Sequence, residues 1–318
     1  MRRTLLLFHH PLTVPLLVGV LTFAFVWVGQ TPPGIPNDFD YFWVAGQAVW
    51  HGLDPYAAVQ AAIKQGILYH PLYYPGTAAV LVAPFGALSR HLGLALFIAL
   101  GMACLVSSVS GWRRWMFLSA PAIQALFSGQ WSPWLTAAVG LPWLGLVWAA
   151  KPSIGLALFA GWPSRRALVG GFVLVILSLI LVPSWPADWL DAVRHTPQYK
   201  APVQRLGGAL LLLSFLRWRQ PEARMLGVLA LIPHTTVLYE QLPLLLIPKT
   251  GRAFAVLMGL GYLAQVLTAT LVPHGPTNEL LATLDAEWPY YLVLVYLPAL
   301  YLTLRGSVSP DRTPPTGH

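Results

Sequence analysis

Apolar runs separated by short polar breaks repeat along nearly the whole chain. A helix needs about 20 such residues to cross a bilayer at 1.5 Å per residue. The pattern predicts membrane segments over 11–28, 76–89, 91–108, 115–128, 131–149, 152–162, 167–182, 206–216, 254–272 and 289–304. The stretch 225–247 is interrupted by Pro233-His234 and Tyr239-Glu240-Gln241. A glutamate at a bilayer centre is expensive, so two half-length helices meeting at a turn over 234–240 are predicted there. Two breaks are longer: 30–75, with an aromatic helix-like run over 40–51, and 183–205, whose Trp185, Trp189 and Tyr199 predict an interfacial belt or a helix lying along the membrane. The expected fold is an all-α polytopic bundle of about twelve segments. One integral domain covers 1–306, with a first outer loop over 30–75, and a Pro- and Ser-rich tail over 307–318 is expected to be disordered and cytoplasmic.

Composition agrees with a lipid-embedded chain. Of 318 residues, 56% are hydrophobic and 9% charged, where a soluble domain carries about one quarter charged residues. The only cysteine, Cys104, excludes an intrachain disulfide. The net charge of +8 comes in small clusters between apolar runs, which is the distribution of membrane loops; it excludes nucleic acid as a partner and makes the bilayer the expected one. Arg2 and Arg3 place the N-terminus in the cytoplasm, and Arg90, Arg165, Arg166, the 217–224 cluster, Lys249 and Arg252 follow inside, with the C-terminus cytoplasmic too. This layout, in a cell (plasma) membrane, leaves Arg113 and Arg114 outside, against the orientation rule.

Candidate chemistry gathers at the predicted outer depth: Asp38, Asp40, Trp43, Tyr69, His70, Tyr73, Tyr74, Gln130, Lys151, His234, Tyr239 and Glu240. Asp38 and Asp40 point about 200° apart on a helix, so at most one faces a given site. Each residue has a plainer explanation: Asp38 as a helix cap, Lys151 as a snorkelling lysine, His234 as a turn cap and the tyrosines as an interfacial belt. There is no Walker loop, dinucleotide fingerprint, His-Glu-x-x-His pair or cysteine cluster, so nucleotide chemistry and zinc hydrolysis have no sequence support.

The order of motifs narrows the reading. Asp38-Phe39, Phe42, Ala45-Gly46, Gly52, Asp54-Pro55-Tyr56, Tyr69-His70-Pro71, Tyr74-Pro75 and Ala83-Pro84 resemble the first outer loop of glycosyltransferase family 87. Gly129-Gln130, Lys151-Pro152, Pro233-His234 and Tyr239-Glu240 look like later landmarks of that family, over about Asn37 to Pro248. Glu240 departs from the aspartate common at its position. The resemblance implies a GT-C fold and inverting transfer of a hexose, mannose by the family's habit, from a polyprenyl-phosphate sugar to a lipid or glycan acceptor on the outer face. It implies no metal and no cofactor beyond that lipid-linked donor. By position, Asp38 is the general base; the leaving phosphate needs cations or donors, for which Lys151 and His234 are the first candidates, with His70 or His195 behind them. Asp40, Trp43, Tyr69, His70, Tyr73, Tyr74, Gln130, Tyr239 and Glu240 are the possible sugar or acceptor contacts. A transporter or flippase for a lipid or small solute, and a catalytically silent scaffold, are the alternatives.

Overall fold

The computed structural model describes residues 12–29, 37–194, 199–273 and 280–306. Arg2, Arg3, His195 and the 307–318 tail lie outside the described residues. All regular structure among the described residues is helical. The order is α1 (Thr13–Val28), α2 (Asp38–Trp50), α3 (Pro55–Lys64), α4 (Gly76–Gly86), α5 (Arg90–Ser108), α6 (Ala120–Ser128), α7 (Ser132–Ala137), α8 (Pro152–Gly161), α9 (Arg165–Leu181), α10 (Trp185–Arg194), α11 (Pro221–Leu231), α12 (Gly251–Leu271), α13 (Leu280–Tyr291) and α14 (Leu297–Arg305). Four longer 3-10 stretches, Gly111–Leu118, Pro142–Ala149, Gly208–Arg217 and Leu238–Leu246, lie between them.

Among the described residues two helices, α5 and α12, are long and apolar enough to cross a membrane. The pair α9 and α10, bent by 98°, makes a third if it is one broken span. The other apolar segments are divided because prolines punctuate them. Pro121, Pro133, Pro142, Pro152 and Pro221 all sit at the first positions of helical pieces. A proline lacks the N–H that would continue the ladder and pushes its predecessor out of the helical region, so each run starts afresh there. A break inside 225–247 is present, but earlier than the turn expected over 234–240: α11 stops at Leu231 and a 3-10 helix, which takes in Tyr239 and Glu240, resumes at Leu238. The final segment begins earlier than predicted. It runs helically from Leu280 through Pro289 to Arg305 with a π turn at Leu292–Tyr296, which widens the helix where the ring of Pro298 would meet the carbonyl of Leu294.

The molecule has two chemically distinct ends. At one, Arg90 pairs with Asp40. At the other end of α5, a helix about 29 Å long, Arg113 donates to the Pro248 carbonyl at 2.8 Å. The same end holds the Lys249–Glu222 pair, and Arg224, which donates to the Ala160 and Gly161 carbonyls at 2.7 and 2.8 Å. The expected layout is therefore corrected at two points. Arg90 lies beside Asp40 and away from the basic cluster, because α4 is only 11 residues and about 17 Å long. Arg113 joins the basic cluster beside Lys249, on whose opposite side the expected layout had put it.

The acidic end rests on α2 and α4, which cross closely. A Cβ on Gly46 would lie 2.9 Å from the Val82 carbonyl, so only a glycine lets these backbones approach. Helix α10 lies across this end: Trp189 donates to the Tyr73 carbonyl at 3.0 Å and Trp185 packs on Gly76.

Candidate active site

Helix α2 starts with two carboxylates that do different work. Asp40 caps the helix, accepting from the Asn37 N–H at 2.7 Å, and is the partner of Arg90. Asp38 is thereby left to point elsewhere, where its carboxylate accepts a hydrogen bond from the Gln130 side chain. The plain capping role belongs to Asp40, which does not join the polar cluster.

Gln130 reaches Asp38 because of the glycine before it. Gly129 ends α6 in the left-handed region, φ +67°, and a Cβ there would come within 3.1 Å of the Phe39 nitrogen. Only glycine tolerates both the conformation and the approach. Tyr74 closes the same corner, its hydroxyl 3.4 Å from Gln130 Oε1, and Tyr56 holds the Tyr74 carbonyl at 2.8 Å.

Opposite stand Lys151 and Glu240, both buried and paired at 2.6 Å. Lys151 Nζ lies 5.7 Å from the centre of the Tyr74 ring and 5.1 Å from that of Tyr239, within cation–π range. Its position follows from local structure: Thr77 of α4 holds the Ala149 carbonyl at 2.7 Å, and Pro152 starts α8 immediately after. Glu240 and Tyr239 open the 3-10 helix after the 232–237 break, where Thr236 is held at φ +54°, an uncommon and costly state for a β-branched residue. Gln124 of α6 fixes this turn by accepting from the Tyr239 N–H at 2.9 Å.

His70 stacks between Tyr41 and Tyr73, at 3.8 and 4.9 Å between ring centres. Its Nδ1 faces the Pro71 carbonyl at 2.9 Å. A carbonyl can only accept, so Nδ1 carries a proton, and in the neutral ring Nε2 keeps its lone pair. His234 has the same arrangement, with Nδ1 at 2.7 Å from the Ile232 carbonyl and Nε2 at 3.5 Å from the Tyr296 hydroxyl. In its neutral form the ring has no further N–H to offer a phosphate; only the protonated form would donate from Nε2.

Burial pushes the Asp38 carboxyl above the usual carboxylate range, although Lys151, Gln130 and His70 oppose the shift. Burial also lowers His70, which favours its neutral form.

No family model, no curated protein and no solved structure matches this chain. The site is therefore read from its own geometry. Asp38, His70, Tyr73, Tyr74, Gln130, Lys151, Tyr239 and Glu240 form one connected polar and aromatic cluster, with His234 behind Glu240. Trp43 is turned away, donating to the Leu88 carbonyl at 3.0 Å, and the Tyr69 side chain is exposed. Tyr199 also stands in the cluster, close enough to interact with Tyr73, Tyr74, Asp38 and Glu240. Sequence reasoning treated it as a belt residue, and no local signal marks it otherwise. Among the described residues no group of three His, Cys, Asp or Glu side chains could hold a metal ion.

Proposed function

We propose that the chain is a membrane glycosyltransferase that moves a hexose, in the first instance mannose, from a polyprenyl phosphate to a lipid or glycan acceptor. Asp38 is the general base. It removes the acceptor hydroxyl proton while that oxygen attacks the anomeric carbon, the bond from that carbon to the phosphate oxygen breaks, and polyprenyl phosphate leaves. One observation carries the reading: a half-buried carboxylate of raised basicity faces a buried lysine across an aromatic-walled cluster. The order of landmark motifs supports it, because Asp38, Gln130, Lys151 and Glu240 come from distant parts of the sequence and meet.

The leaving phosphate must compete with Glu240 for Lys151, since the two are already paired. Tyr74, Tyr199 and Tyr239 supply further hydroxyl donors. We assign the acidic end to the extracytoplasmic face, because Arg113, Arg224, Lys249 and Arg252 gather at the other end and Arg90 is neutralised by Asp40. The further crossings of a twelve-span GT-C bundle belong to this proposal. Reconstituted protein supplied with polyprenyl-phosphate mannose should release polyprenyl phosphate in step with labelled product; no release with any lipid-linked hexose would reject the reading.

The paired lysine favours one second reading. A site with two carboxylates to one lysine, one carboxylate being readily protonated, also suits a proton-coupled carrier. Proton uptake into liposomes coupled to solute, without sugar transfer, would select it.

A further inference from the structure

We propose a second binding site at the basic end: a groove between α12 and α14 that takes the phosphate headgroup of an anionic membrane phospholipid, with an acyl chain along its wall. The groove measures about 470 Å³ and is lined by Arg252 and Arg305 together with Tyr301, Val256, Leu260 and Leu302, and no acidic side chain lines it. Arg305 is held for the task. It donates to the Tyr301 hydroxyl at 2.7 Å and its guanidinium lies 5.6 Å from that ring's centre, which leaves other N–H groups free to point at an anion. Arg252 is exposed in the first turn of α12.

The occupant follows from the helix that forms the wall. Helix α12 is one of the two long enough to cross a membrane, and Val256, Val266 and Leu271 along it are all more than half exposed, so this surface meets lipid. The lining runs from Thr250 to Leu260, about 15 Å along the axis, which carries it from headgroup depth into the acyl region. Two guanidinium groups with no carboxylate between them favour a headgroup of net negative charge over a zwitterionic one. A free phosphate could meet the arginines but would leave the apolar wall empty. The site is independent of the transferase reading.

The test uses the full chain, delipidated in neutral detergent and titrated separately with phosphatidylglycerol, phosphatidylcholine and inorganic phosphate. Bound lipid is read by native mass spectrometry and stability by thermal shift. Phosphatidylglycerol should be retained over phosphatidylcholine, with affinity falling about fivefold for Arg252→Gln or Arg305→Gln and on the order of 30-fold for both together. Leu260→Trp, which keeps both arginines and fills the wall, should also lose phosphatidylglycerol. Equal retention of the two lipids, an equal shift with phosphate alone, or full retention by the double variant would each overturn the proposal.

Discussion

Asp38 owes its character to its neighbours. Asp40 takes the capping bond and the arginine, so Asp38 faces the cluster with one side-chain donor, Gln130. Asp38→Asn should cut transfer at least about 100-fold, the usual contribution of a general base, while thermal denaturation shows a Tm no lower than wild type, since a partly desolvated charge has been removed. The raised carboxyl fixes a pH dependence. The base acts only when deprotonated, so the rate should fall on acidification with a midpoint above the ordinary carboxylate range. Gln130→Ala removes a bond that favours the charged form, so its acid limb should move to higher pH; a shift to lower pH would contradict the assignment. The Lys151–Glu240 pair makes a separate prediction in denaturant unfolding. Lys151→Ala leaves Glu240 buried without its partner and should cost about 3–5 kcal/mol, whereas Lys151→Met combined with Glu240→Gln should cost much less.

At the scale of elements, the site depends on where helices stop. The 232–237 break was legible in the sequence, because Pro233 and an otherwise unaffordable Glu240 both argued against one span. The first-loop helix was legible too, from its aromatic run and paired aspartates. Other features were not, since they depend on partners far along the chain: the Asp40–Arg90 pair, Gln124 beneath Tyr239, Tyr296 against His234, and Tyr199 inside the cluster. Nor does apolar periodicity count crossings when prolines divide the runs. The junction that matters most is Gly129. Gly129→Ala forces a side chain into a left-handed position against Phe39 and should lower Tm and activity together. Gly171→Ala, inside α9 with nothing near its added carbon, should raise stability by roughly 0.5–1 kcal/mol.

Across the whole molecule, charge is sorted between two ends about one helix length apart. Arg90 is paired with Asp40 and Lys151 with Glu240, so these cations sit at the acidic end without opposing that sorting. In a variant lacking Cys104, single cysteines at His51 and Arg166 should react with an impermeant thiol reagent from opposite faces, His51 from outside. Labelling of both from one face would break the two-ended arrangement. The central claim is that Asp38 is the base for transfer from a lipid phosphate. It is tested most directly by supplying polyprenyl-phosphate mannose, radiolabelled in the sugar, to membranes holding equal amounts of wild type and Asp38→Asn. The account predicts labelled acceptor with wild type and almost none with the variant. Equal labelling by the two proteins would contradict it.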